Sequence, residues 1–545
     1  MKKSFGTTLL TMAAIAGALS IVACSDEQSP TYKLETVVPG SAFHGIHGLT
    51  FTSEDRLLAG SVLGRAIYEI DVSTGETAIY IDSPLGMADD LEEGPDGSLG
   101  WTAFLDGKYY LRKPDGETLT LAEGLPGLNS TAWTSDGRLF ATQVFLGDAL
   151  YELDPTGSNP PRKIMEGMGG LNGFDFGPDG KLYGPLWFKG AIARVDVDTA
   201  ELEIVAEGFD VPAAVNFDSK GNLWVVDTAR GEVIRVDVTT GEKTVVAQVA
   251  PSIDNLAFDS NDRLFISNMA DNAIIEINTE TGEATPIVTG KLAVAADIAF
   301  VRDADGTETL YIGDLFSFRK LDIATGEVSE IGRAWAANID YPISVGVNGT
   351  DIALSGWSAG MVQHFNPQTG ELGSIHHGFA APTDALPMPD GSMVIAEFGR
   401  GALVRLDADG TTRTDIATGL AGPTALLALA EGKVLLSENL SGVISEIDLT
   451  TGDRTIIVDG LSSPEGFDRD ASGTLYVAEV GKHQIVSINP KDGTKIILAT
   501  DLPIGFAGPT DGLPVYIPTG VAVSNNGDVY FSADKEAAIY RLTRQ

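Results

Sequence analysis

Apolar and polar residues alternate in short runs along nearly the whole chain, and glycine-bearing turns separate the runs. Alternation with a period of two is the signature of half-buried strands, and no long segment beyond the N-terminal one carries a helical period. The stretch "LNGFDFGPDGKLYGPLWFKGAIARVDVDTAELEIVA" shows the unit. A strand bearing Phe174 and Phe176 leads through Pro178 to Gly180 into a second strand, then a loop at Trp187 to Gly190, then two strands joined at Thr199. The last turn recurs as Thr74-Gly75, Asp115-Gly116, Thr156-Gly157, Thr240-Gly241 and onward to Asp492-Gly493, with Thr199-Ala200 as a degenerate copy. A spacing of about 42 residues with four strands per copy is that of a propeller blade. The pattern predicts an all-β chain.

Twelve inner-strand starts align, with twelve outer strands if Tyr32 to Val38 is included. Closed propellers typically hold about four to eight blades, so twelve four-stranded blades predict two tandem six-bladed β-propellers, over residues 32–281 and 282–545. The expected closure has the N-terminal strand completing blade six and Ala284 to Val288 completing blade twelve, which closes both rings and leaves little open sheet edge.

Residues 1–23 carry Lys2 and Lys3, an apolar run from Leu9 to Val22, and then Ile21-Val22-Ala23-Cys24. This has the form of a bacterial lipoprotein signal, with lipid carried on Cys24, the only cysteine, and residues 24–31 as a linker. The expected location is the bacterial cell envelope, facing the periplasm or the surface, with Ser25 favouring the outer membrane and the anchor at Cys24 as the membrane contact. No later segment has the run of apolar residues a membrane helix needs. A net charge of −40 argues against nucleic acid as a partner. The sequence leaves the oligomeric state open.

In a propeller the starts of the inner strands converge on the central channel. The alignment places His47, Asp89, Asn129, Asn172, Ala213 and Asp254 at that position in the first six blades, followed by Gly48, Asp90, Ser130, Gly173, Ala214 and Asn255. Carboxylate and amide oxygens are the hard donors that Ca²⁺ takes, so Asp89, Asn129, Asn172 and Asp254 are the candidate metal ligands. Asp254 and His47 are the candidate proton acceptors, His47 for its ordinary pKa near 6.5. Phe104, Phe145, Trp187 and Phe188, on loops of the same face, are expected to form an apolar wall for substrate.

The hairpins "GLNSTAWTSDGRLFAT" and "GLNGFDFGPDGKLYG" resemble those of the SMP-30/gluconolactonase family and its paraoxonase relatives. The resemblance implies a calcium-dependent six-bladed propeller that opens lactones or esters, with Asn129 and Asn172 at the positions of asparagine ligands and Asp254 at an aspartate-bearing strand start. The chain departs from the family at His47, where a glutamate is expected, and at Ala213, where an aspartate is expected. In the second half the aligned positions are Ala296, Tyr341, Thr383, Thr424, Glu465 and Thr519, a poor calcium cage. Glu465 and His483 there resemble the site of virginiamycin B lyase-type propellers. A longer segment with Phe506 and Tyr516 precedes the last inner strand as a long loop or lid.

Two motif matches are set aside. Gly356 to Gly360 fits a nucleophile elbow but joins two strands, not a strand and a helix. Asp468 to Glu479 fits a calcium-loop spacing but occupies the hairpin slot of its blade. The sequence leaves a metal-dependent lactone or ester hydrolase as the first function, with a non-enzymatic lipoprotein that binds a protein or glycan, or a virginiamycin B lyase-like lyase, as the alternatives.

Overall fold

The structure, a computed structural model, describes residues 31–509 and 513–545; the lipidation site expected at Cys24 lies outside them. Among the described residues twelve four-stranded antiparallel sheets account for every strand, and the only helical elements are short 3₁₀ turns. The inner strands pack side by side in two closed orders, with blade 6 against blade 1 and blade 12 against blade 7. The protein is two tandem six-bladed propellers.

The recurring Thr-Gly turn has a local cause. Asp71 accepts the amides of Ser73 and Thr74, and Gly75 takes the left-handed φ of 74° that a side chain opposes. Asp237 with Gly241 repeats the arrangement. The degenerate copy keeps the conformation at a cost, with Ala200 at φ 57°.

The closure differs from the expected one. Strand Tyr32–Val38 pairs with Ala538–Arg544 of blade 12, and Ala284–Val288 pairs with Ala273–Ile277 of blade 6. The first ring therefore runs on past residue 281 to Val288, each of its blades built from consecutive strands. The second ring is discontinuous in sequence, and the first is inserted between its outermost N-terminal strand and the rest. The alternation of Tyr32–Val38 fits the outer edge of any blade, so the pattern alone cannot choose which.

The insertion brings two chain crossings to one seam. Asn272 donates to the carbonyls of Phe43, Leu292 and Ala293 and accepts the amide of Gly45, tying both crossings together. Asp314, fully buried, accepts the amides of Ala293, Val294 and Ala295 and pairs with Arg319. Arg333 of the second ring grips Asp271 of the first through two bonds of 2.7 and 2.8 Å. Met269, Ala293, Phe316, Ile343, Tyr516 and Ile517 form one apolar cluster across the seam. The long segment before blade 12 is part of that packing: Tyr516 accepts from the Trp357 indole through its carbonyl, and Arg65 of the first ring reaches the carbonyl of Gly508.

Candidate site at the facing channel mouths

All loops that touch across the seam join strands on the channel-start face of their ring, so the two channel mouths face one another. At the first mouth Asp89 and Asp254 flank His47 from blades 2 and 6. Asn129 donates its amide to Asp89 at 3.1 Å. The Ser130 hydroxyl lies 2.8 Å from the Asn129 oxygen and 2.9 Å from that of Asn172. The four residues expected as metal ligands are thus brought to one mouth, three of them in a single hydrogen-bonded chain.

The electrostatics of this mouth are unbalanced. Burial raises the Asp89 carboxyl well above the ordinary carboxylate range, and the charges of Asp254 and Asp90 add to it. Burial likewise lifts Asp254 to about 7, with Asp90 contributing. Among the described residues no basic side chain offsets either. Two carboxylates in one poorly solvated place favour a shared proton or a bound cation. Among the described residues no three His, Cys, Asp or Glu side chains converge as a metal site. A cation here would therefore draw on amide oxygens for half its protein ligands, and the donor set of two carboxylates and two amides is hard enough for Ca²⁺.

His47 is less suited to proton transfer than its ordinary pKa suggests. Its ring is buried, its Nδ1 lies 3.0 Å from the Gly45 carbonyl, and burial lowers its pKa to about 4. It is neutral and weakly basic at pH 7, so Asp254 is the stronger acceptor of the two. Below this layer Asp90 accepts Asn255 across the channel and the amide of Thr131. Gly48 leaves room for that contact, since a Cβ there would meet Asp90. At the far end Glu92 and Asp175 join Asp90 and Asn255 around a cavity of about 220 Å³; this second acidic layer was not legible as a site because its residues follow the aligned column.

The four aromatic residues expected as a wall pack together, and their contacts continue into the second ring. Phe104 and Phe188 pack on Phe145, and Phe145 on Trp187. Trp187 then meets Trp335 of the second ring at 6.1 Å, Trp335 meets Tyr341 and Phe316, and Phe316 meets His47 at 5.8 Å. Exposure falls along this path, from 59% at Phe188 and 44% at Phe145 to 9% at His47. Phe145, Leu315, Trp335 and Tyr341 all have left-handed backbone, with φ between 51° and 67°. Such residues cost about 1–3 kcal/mol each and persist where the surroundings hold them. The sequence did not reveal this roof, because nothing in one ring's repeat shows what the other ring lays across it.

In the second ring the alignment needs one correction. Ile343, not Tyr341, occupies the first channel layer, since its amide bonds Ser355 as Ala296 bonds Gly313. Tyr341 lies two residues earlier, at the mouth of the first ring. Asp297, Ser344 and Asp384 share the Ser344 hydroxyl at 3.0 and 2.9 Å beside a cavity of about 320 Å³ at the outer end. Glu465 accepts the Thr519 amide and His483 pairs with the Ile504 carbonyl, with no hydrogen bond between them. Gly356 to Gly360 is a strand-to-strand loop, and Asp470 caps a β-turn through Ser472 and Thr474.

No protein-family profile and no curated protein matches the chain. Among solved structures, a gluconolactonase from Xanthomonas campestris is 18% identical, covering 44% of this chain and 87% of its own, with a TM-score of 0.36. The extracellular domain of a B. thetaiotaomicron protein, described as a hybrid two-component system, is 11% identical, covering 95% of this chain and 83% of its own, with a TM-score of 0.33. At TM-scores this low, neither likeness bears on the site.

Proposed function

We propose that the chain is a hydrolase of the lactonase or esterase type in the bacterial envelope, held to the membrane by lipid on Cys24, with its site at the first channel mouth. The observation that supports this is the Asp89 and Asp254 pair, lacking any basic partner and set beside Asn129 and Asn172. Those four residues would hold Ca²⁺, which supplies Lewis-acid polarisation of a substrate carbonyl when bound. Asp254, facing the same mouth, would accept the proton of the attacking water. Neutral His47, with Nδ1 committed to Gly45, offers Nε2 as an acceptor that orients the water. The aromatic wall receives the apolar part of the substrate and excludes water from the mouth.

Melting the mature protein in EDTA and then in Ca²⁺ tests the site, because binding to the native state alone must raise its stability. Hydrolysis of a panel of sugar and aliphatic lactones, with and without EDTA, tests the activity. The roof of Phe316, Trp335 and Tyr341 over the mouth favours a second reading, a lipoprotein that encloses a ligand without turning it over. A Ca²⁺-dependent melting shift with no turnover across the panel would support that reading.

A further inference from the structure

The position two residues before the first-layer channel residue adopts left-handed backbone in most blades. Gly45, Gly127, Gly170 and Ser252 fill it in the first ring, and Ala381, Gly422 and Ser463 in the second. Each is small, as a backbone that opposes a Cβ demands. Blade 8 alone among these places a large side chain there, Tyr341 at φ 53°. The residue after it is Pro342, which further restricts its backbone. Local preference therefore selects against tyrosine at this point, and strain of this kind gathers where a side chain serves a site.

The tyrosine is aimed away from its own ring's channel. Its ring lies 6.0 Å from Phe316, which in turn packs on His47, and 5.8 Å from Trp335, which packs on Trp187. It thus sits between the two first-ring residues that bound the mouth, partly accessible like Asp89 and Asp254. The described residues offer its hydroxyl no hydrogen-bond partner, although the ring is packed on both sides. We propose that Tyr341 is a catalytic residue of the first ring's site, donating a hydrogen bond to the carbonyl or leaving oxygen of a bound lactone or ester, so that the site is complete only when both rings are joined.

This rests on the hydrolase reading above. In that reaction water gives a proton to Asp254 as it adds to the carbonyl carbon, the acyl carbon–oxygen bond of the ring breaks, and the leaving oxygen takes that proton back to give the hydroxy acid. Tyr341 donates a hydrogen bond throughout and keeps its proton. Burial raises its pKa, with the nearby charges of Asp340, Asp254 and Asp89 adding to the effect, so the phenol stays protonated across the working range. A donor that cannot ionise beside two carboxylates suits the stabilisation of developing negative charge. Joining the rings through Asn272, Asp314 and Arg333 then has a functional reason, because a hydrogen-bond donor carried by one domain must be held to within a fraction of an ångström of the other.

The test compares Tyr341→Phe and Tyr341→Gly with the wild-type full chain. The Phe variant should keep its melting temperature and its Ca²⁺-dependent shift while kcat on the best lactone falls about a hundredfold to a thousandfold, with KM little changed. The Gly variant relieves the backbone but loses the packing on Phe316 and Trp335, so it should melt lower than wild type, and at temperatures where it stays folded it should still lose turnover. Wild-type turnover in the Phe variant would overturn the proposal while leaving the hydrolase reading intact. Loss of activity in step with loss of melting temperature in both variants would assign Tyr341 a packing role and overturn it too. A wild-type chain that hydrolyses no lactone of the panel would sink the hydrolase reading itself, and this proposal with it.

Discussion

The two rings share one blade plan and differ in how they close and in what they place at their mouths. The first closes from consecutive sequence, with no strand borrowed, and lines its mouth with two carboxylates and two amides. The second closes by borrowing Tyr32–Val38 across an insertion of a whole propeller, and its first layer carries threonines and one glutamate. The comparison separates two tasks that a single ring usually combines. The first ring supplies a polar mouth that is costly to keep, the second supplies the roof over it, and residues of both rings, Asn272 and Asp271 with Arg333, clamp the two together.

The sharpest way to break this division is to remove Tyr32–Val38. That strand pairs with Ala538–Arg544 along nearly its whole length, so its loss opens the edge of blade 12 and exposes the packing of Val38 against Leu292 and Ile298. We expect a loss of several kcal/mol, seen as collapse of amide hydrogen-exchange protection in blades 7 to 12, with blades 1 to 6 retaining theirs. Protection lost first in blade 6 would instead support the closure expected from sequence.

The clamp comes next. Asn272→Ala removes one acceptor and a donor shared among three carbonyls, all buried. Leaving such groups unpaired costs about 1–3 kcal/mol apiece at most, and we expect about 3 kcal/mol in total from denaturant unfolding. If the rings act as independent domains, the loss should instead be confined to one transition and leave Ca²⁺ binding untouched.

The charged mouth gives a pH-dependent comparison. The folded state raises the Asp254 pKa from the ordinary 3.8 to about 7, so it binds that proton more tightly than the unfolded chain. The associated stability is present in full below pH 4 and is lost as pH rises through 7. Asp254→Asn should therefore match wild type at pH 4 and exceed it by about 2 kcal/mol at pH 8 in EDTA, and should lose the Ca²⁺-dependent gain. His44 and His47, both lowered to about 4 by burial, act in the opposite sense, since stability falls as pH drops from 6.5 toward 4. Equal melting curves of wild type and Asp254→Asn at pH 8 would mean that the mouth is better solvated than its packing indicates.

Legibility followed the range of the interaction. The Asp-to-Gly turns and the alternating strands are local, and blade count and six-plus-six division follow from them. The column of Asp89, Asn129, Asn172 and Asp254 was readable because a ring converts sequence period into spatial convergence. The partner of Tyr32–Val38 was not, because an outer strand of this pattern fits any blade. Tyr341 was misplaced by two residues for a related reason: blade 8 starts after a longer loop, and only the ladder bonds of Ile343 fix its register. The lowered pKa of His47 was not legible, because a reference pKa says nothing of burial.

The smallest effect lies within the first ring and asks whether its degenerate blade is a defect or a fitted part. Ala200 holds φ 57° at the turn where Gly75 and Gly241 serve in other blades, while Asp196 still accepts the amides of Asp198 and Thr199. Glycine adopts that backbone freely but loses more entropy on folding, so the two terms oppose one another. The steric penalty on a left-handed alanine is about 1–2 kcal/mol and the entropy term somewhat less than 1. Ala200→Gly should therefore stabilise the first ring by up to about 1 kcal/mol, read from denaturant midpoints and from slower exchange in blade 4. No change in blades 7 to 12 is expected, since the turn lies on the outer face, away from the clamp. A destabilised variant would show that the alanine methyl makes a favourable contact worth more than the strain it imposes.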